Sequence, residues 1–216
     1  MMASMDARLA LLRGRLAAEE PGSRGLERVA RNPACQLLRS LTMAGISPAT
    51  ALELVFKEIS REGQSPFALA AGNRFERQLY DSGAARLLDL YRHRGRLQPE
   101  ECKVVIVPDL APANMGRRRT ETLRLFRRKL AGDPSAPNLI VKPRLSVSLL
   151  GVPHDTEPDV VMAADHEPFY RPVEIKSYAD RSGKTDAADV RSACRQAAVG
   201  VIAMCEALTR LGVPEP

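Results

Sequence analysis

Tryptophan is absent from this 216-residue chain and aromatic side chains make up only 4% of it. A platform of rings stacking successive nucleic-acid bases is therefore not expected. No run of about 18 apolar residues occurs, so no stretch reads as a membrane-spanning helix. The opening MMASMDARLALLRGRL lacks the apolar centre of a secretory signal, and the expected location is cytoplasmic. Cysteine is sparse, with four residues at positions 35, 102, 194 and 205. Cys194 falls on an apolar stripe at helical spacing, so buried free thiols in a reducing compartment are expected.

What the chain does contain is the make-up of a globular protein, with 44% hydrophobic and 27% charged residues. Its length allows one ordinary domain with a small appendage and a real core. A formal charge of +6 and a pI near 9.4 favour a polyanionic partner. With few aromatics, contacts to phosphate should dominate over contacts to bases.

The N-terminal 65 residues read as a helical region without a chemical motif. A helical pattern from Met5 to Glu20 ends at Pro21-Gly22-Ser23, and a second runs from Asn32 to Ala44. Ser47-Pro48 gives an N-cap followed by proline at the first helical position, opening a third helix through about Arg61. Residues 66–216 form the second unit. It begins with a helix over Phe67 to Arg92 that places Phe75, Leu79, Leu87 and Leu90 near one face. Glu76 borders that face, where a carboxylate needs a partner, either a nearby arginine or a cation.

Lys103 to Pro108 reads as a strand. RRRTETLRLFRRKL then carries seven basic residues between Arg117 and Lys129 against one acid. Its apolar seam of Leu123, Phe126 and Leu130 leaves a broad arginine face. Such a face is either simply solvated or a phosphate-binding surface, with Arg117, Arg118, Arg124 and Arg128 as the nucleic-acid contacts. NLIV and RLSVSLL give one or two further strands, separated by Lys142-Pro143.

Two apolar runs, Asp159 to Met162 and Val173 to Ser177, read as a hairpin. Alternation must place Val160, Met162, Val173 and Ile175 on one buried face. Folding the arms symmetrically about His166 and Glu167 then sets Asp159 opposite Glu174, with Lys176 further along on the same side. Opposed carboxylates about 5 Å apart at Cβ repel by about 3 kcal/mol at an effective dielectric of about 20. Something positive should sit between them. A hard divalent cation with oxygen ligands meets that need, while an exposed hairpin face with a surface Glu-Lys pair accounts for the same spacing. Asp155 and Glu157 are alternative acids to Asp159.

After the hairpin, Ser182-Gly183-Lys184-Thr185 lacks the first glycine of a phosphate-binding loop, since Tyr178 stands in its place. Thr185 reads instead as an N-cap, with Asp189 completing a capping box. In the helix that follows, Val190, Cys194, Ala197, Val201 and Leu208 form the expected buried stripe. Gln196 lies off that stripe beside Ala193, Gly200 and Ala203, on a side of small residues suited to close approach.

Asp159, then Glu174-Ile175-Lys176 at a strand end, then Gln196 in the next helix resemble the PD-(D/E)XK nuclease superfamily, specifically its RecB-like exonuclease branch. Gly72-Asn73-Arg74-Phe75-Glu76 resembles that branch's first motif. The resemblance spans roughly Phe67 to Leu208. It implies a restriction-endonuclease-like α/β core, a mixed central sheet flanked by helices. It also implies metal held by Glu76, Asp159 and Glu174, with Asp159, Glu174, Lys176 and Gln196 as the catalytic set and Mg2+ or Mn2+ as cofactor. DNA is the implied substrate, in processing, repair or defence against foreign DNA, with a helicase or other processing protein as partner. Three departures stand out. Related exonucleases often place a tyrosine four residues after this glutamine, where the chain has Gly200. The cysteines do not follow the spacing of the branch's iron–sulfur cluster, so no cluster is expected. The core order ends in a strand, yet only Gly212-Val213-Pro214-Glu215-Pro216 follows the last helix, so an earlier strand takes that place or the chain is a piece of a longer one.

The expectation is thus a Mg2+-dependent deoxyribonuclease. Its rivals are a catalytically inactive DNA-binding module on the same fold, since a fold hosts many functions, and a protein-interaction domain without DNA affinity.

Overall fold

A computed structural model describes residues 4–57, 66–93, 114–149, 151–177 and 185–213. The expected strand at 103–108, Cys102 and residues 182–184 lie outside the described residues. The rest is a mixed α/β structure. Its helices are α1 (Met5–Arg13), α2 (Gly22–Arg31), α3 (Gln36–Met43), α4 (Pro48–Phe56), α5 (Pro66–His93), α6 (Met115–Leu130) and α7 (Ala187–Arg210). Its strands are β1 (Leu139–Val141), β2 (Leu145–Leu149), β3 (Val152–Thr156), β4 (Val160–Met162) and β5 (Arg171–Val173). The strands form a three-stranded sheet in the order β1-β4-β5 and a separate β2-β3 hairpin. Every pairing among the described residues is antiparallel, so the expected mixed sheet is not seen there.

The β4–β5 register pairs Val160 with Val173, Val161 with Pro172 and Met162 with Arg171. This is the register expected from alternation together with symmetric folding about His166 and Glu167. The three-stranded sheet is buried on both faces, however. Leu139, Val141, Val160, Met162 and Ile175 pack with Leu79, Ala84, Leu87 and Leu88 of α5. Ile140, Val161 and Ala163 join Val199, Ala203, Met204 and Ala207 of α7, Leu125 and Phe126 of α6, and Leu26 of α2. Phe126 stacks on Tyr170 at 5.0 Å between ring centroids, and Tyr170 Oη donates to the Pro137 carbonyl at 2.6 Å.

Several local readings need correction. Helix α1 stops at Gly14 rather than running to Glu20, and Pro21, rather than ending a helix, stands at the N-cap of α2. Through Leu26 and an ion pair between Glu27 and Arg195, that helix belongs to the same core as α7. Ser47 does cap α4, its hydroxyl accepting from Thr50 N at 3.2 Å. The hairpin of β2 and β3 turns at Gly151, whose φ of 82° suits glycine. In α5, where Ala84 has a left-handed φ of 60°, Leu79, Ala84, Leu87 and Leu88 are buried while Phe75 and Leu90 of the expected face are exposed.

The phase of α7 is also different from the expected stripe. Val190, Cys194 and Val201 are exposed, and the buried side carries Gln196, Val199, Gly200, Ala203, Met204 and Ala207. Small residues let this side approach the sheet closely: a Cβ on Gly200 would lie 3.2 Å from Pro172 Cβ and 3.6 Å from Pro158 Cγ. Cys35 is exposed as well, and Cys205 is half-buried, so the expectation of buried thiols fails for Cys35 and Cys194. The N-cap of α7 is Asp186, whose carboxylate accepts from Ala188 N at 2.6 Å, in place of Thr185. No helix among the described residues is long and apolar enough to cross a membrane.

Candidate active site

Strand pairing assembles the site. Val141 pairs with Val160, and Val160 with Val173, so the next residues outward, Lys142, Asp159 and Glu174, stand in a row at one end of the β1-β4-β5 sheet. The backbone ladder continues into this row, with Lys142 N–H donating to the Asp159 carbonyl at 2.9 Å. Helix α5 covers the same end. It contributes Glu76 and, one turn later, Tyr80, whose hydroxyl donates to the Asp159 carbonyl at 3.4 Å. Gly72 faces the end of the site strand, where a Cβ would make ordinary van der Waals contact with Ser177 Oγ at 3.7 Å.

At the centre is the Lys142 ammonium. Its Nζ lies 2.9 Å from Glu76 Oε2 and 2.9 Å from Asp159 Oδ1. The second Asp159 oxygen accepts the Ile175 backbone N–H at 2.8 Å. Lys176 Nζ pairs with Glu174 Oε1. The structure therefore gathers Glu76, Asp159, Glu174 and Lys176, from positions 100 residues apart at the extremes, around one end of the sheet. The positive group between carboxylates, which the opposed acids require, is supplied by a residue whose role was not read from the sequence. Lys142 sits between Glu76 and Asp159, rather than between Asp159 and Glu174.

Lys142 reaches α5 by a left-handed backbone. A regular strand would turn residue 142 away from α5, as it does Ile140, but a φ of 51° at Lys142 breaks the alternation. For a non-glycine residue that conformation is costly. The neighbouring bonds hold it, because the Lys142 carbonyl accepts from Arg118 Nη2 at 2.8 Å while its N–H is engaged by Asp159.

The electrostatics follow from this packing. Burial raises the pKa of Glu174 above the usual carboxylate range, the Asp159 charge adds to the rise, and Lys176 and Lys142 act against it. Burial by itself would lower the Lys142 pKa, but the charge of Asp159 and hydrogen bonds to Asp159 and Glu76 outweigh it and hold the ammonium firmly protonated. Three carboxylates face two ammonium groups, leaving an excess of negative charge. Hard oxygen donors with excess negative charge fit a divalent cation such as Mg2+ or Mn2+. As they stand, no three His, Cys, Asp or Glu side chains among the described residues converge as a ligand set. The expected trio of Glu76, Asp159 and Glu174 has a lysine ammonium between two of its members.

Gln196 is buried and its amide donates to Ser192 Oγ at 3.3 Å, one turn back on α7. It lies one turn from Gly200, which faces Pro158 and Pro172 beside the site strands. Asp155 and Glu157, the alternative acids, are occupied elsewhere: Asp155 with Arg119 and Arg144, Glu157 with Arg118.

The arginine helix is less one-sided than its sequence. Of the expected seam, Phe126 is fully buried and Leu123 packs partly buried against the core, but the buried side is broader and also carries Arg118, Thr122, Leu125 and Lys129. Arg118 faces inward, bonded to Glu157 Oε2 at 2.6 Å and to the Lys142 carbonyl, which removes it from the phosphate-facing set. Lys129 Nζ donates to the Ala164 carbonyl at 2.7 Å. Arg128 is tied to Asp133 and Ser135 at the helix end. Arg117 and Arg124 remain on the exposed side, with Arg124 paired to Glu121.

Comparison with known proteins finds no matching family model, no matching curated protein and no matching solved structure.

Proposed function

We propose that the chain is a metal-dependent DNA nuclease with a restriction-endonuclease-like core, related in plan to the RecB-like exonucleases. The observation that carries this reading is the convergence of Glu76, Asp159, Glu174 and Lys176 at one sheet end, although they come from a helix and two different strand ends. Glu76, Asp159 and Glu174 would hold a divalent cation, which would supply activation of water and offset the charge that develops at phosphorus. Among the chain's own groups, the Ile175 N–H fixes the orientation of Asp159. Glu174 positions the Lys176 ammonium, which orients the nucleophile and adds fixed positive charge beside the phosphate. Arg117 and Arg124 hold the DNA backbone, and Gln196 lines the α7 side. A helicase or other processing partner would supply unwound strands to a protein acting in the cytoplasm.

The experiment is incubation with end-labelled single- and double-stranded DNA in Mg2+ or Mn2+. Cleavage should be lost in Glu174→Ala and Lys176→Ala while DNA affinity remains. Cleavage unaffected by both substitutions would sink this site.

A second reading, a nuclease-fold DNA-binding module without chemistry, is favoured by one observation: the place between Glu76 and Asp159 is already filled by Lys142. It expects DNA affinity that persists in EDTA and no cleavage of any substrate with either metal.

A further inference from the structure

Lys142 is held in place by more than its ammonium. Its backbone takes a left-handed φ of 51° immediately before Pro143, a combination with a steric cost, and both its N–H and its carbonyl are engaged by Asp159 and Arg118. That strained anchor aims a flexible four-carbon stem at a point 2.9 Å from each of two carboxylates. The side chain is not sealed in, since Lys142 is 21% and Glu76 24% exposed. The ammonium can therefore leave toward solvent while the backbone stays fixed.

We infer that Lys142 is a built-in counter-ion, which occupies the cation seat between Glu76 and Asp159 when no metal is bound and gives it up when a divalent cation enters. The inference rests on the nuclease reading for the identity of the incoming ion. Its physical basis is that the carboxylates accept either cation but not both. A metal of the Mg2+ class requires carboxylate oxygens at about 2.1 Å in near-octahedral geometry, and an ammonium within hydrogen-bonding reach of the same oxygens would face the doubly charged ion across a few ångströms of partly buried space. Exchange of a singly for a doubly charged group also offsets the excess negative charge of Glu76, Asp159 and Glu174. Without metal, Lys142 keeps the acids from repelling one another. With metal, it is a competitor whose removal tightens binding.

The test uses Mg2+ and Mn2+ alone, without DNA. Titration calorimetry of the wild type and of Lys142→Met should show Mn2+ binding at least tenfold tighter in the variant, and Mn2+ should raise the variant's unfolding temperature by more than it raises that of the wild type. Lys142→Arg keeps the charge and should bind metal no more tightly than the wild type. Should Lys142→Met fail to fold, the unaltered protein answers by itself. The lysine ammonium NMR signal that is absent from Lys142→Arg is assigned to Lys142, and it should shift or vanish as Mg2+ saturates the site. Metal binding by the wild type with that signal unmoved, or binding by Lys142→Met no tighter than by the wild type, overturns the counter-ion inference and leaves the nuclease reading standing. Absence of metal binding in both proteins overturns the two together.

Discussion

The Asp159 carboxylate receives the backbone N–H of Ile175 at 2.8 Å, across the two strand ends of the hairpin. One oxygen thus locks the Glu-Ile-Lys segment to β4, while the other faces Lys142 at 2.9 Å. Asp159 is consequently a fastening as well as a candidate ligand. Asp159→Ala orphans the Ile175 N–H and leaves the Lys142 ammonium with Glu76 alone, and should cost about 3 kcal/mol of stability. Asp159→Asn can still accept from Ile175 and should cost less. Urea unfolding of both variants in EDTA measures the difference, and an alanine variant within about 0.5 kcal/mol of the wild type would refute the fastening role.

Gly200 occupies the place where related exonucleases often carry tyrosine, and the packing of α7 leaves no room for one. A mere Cβ would stand 3.2 Å from Pro172. Gly200→Tyr should therefore destabilise the fold by about 1–3 kcal/mol through overpacking, despite the better helix propensity of any non-glycine residue. Thermal unfolding at fixed pH decides it. A gain in stability would refute overpacking between α7 and Pro172.

His154 makes stability pH-dependent. It is buried in β3, its Nδ1 lies 3.9 Å from Glu20 Oε2, and its Nε2 has no hydrogen-bond partner among the described residues. Burial lowers its pKa from 6.5, against the opposing charges of Glu20 and Asp155. With the folded pKa depressed, the unfolded chain binds more protons just below pH 6.5. The histidine's contribution is therefore present above that pH and lost as pH falls toward the folded pKa, at a slope of at most about 1.4 kcal/mol per pH unit. Denaturation at pH 5 to 7.5 should show His154→Gln with a flatter dependence than the wild type. Parallel curves would remove this residue from the account.

The arginine helix divides into two functional classes. Arg117→Gln with Arg124→Gln should weaken DNA binding for all sequences alike and flatten the slope of log affinity against log salt by about 1.8 on duplex DNA. Arg118→Gln should leave that slope alone and lower stability, because Arg118 is spent on Glu157 and the Lys142 carbonyl. Filter binding across a salt series together with urea unfolding separates the two. An equal slope change from Arg118→Gln would place that side chain at the surface.

Short-range regularities made part of this protein legible from its sequence. The alternation of Val160, Met162, Val173 and Ile175 excluded any slip by one residue, which would turn every one of those side chains to the other face, and symmetric folding about His166 and Glu167 then selected the register. From that register the opposition of Asp159 and Glu174 followed. The need for a positive group among those acids was equally readable, being a matter of charge and distance. Its identity was not. Lys142 reaches Glu76 only because β1 lies beside β4, α5 lies over their ends and the backbone at Lys142 turns left-handed, and none of these has a local sequence signal. Which helix faces are buried was likewise a tertiary decision. Hydropathy favoured Cys194 and Val201 of α7, but Gln196 and Gly200 face inward because small residues permit close contact with Pro158 and Pro172. Arg118 and Lys129 of α6 turn inward where carbonyls of other segments accept their charged hydrogen bonds. Sequence periodicity ranks side chains by polarity, whereas the folded chain ranks them by whether a fitting partner waits on the neighbouring element.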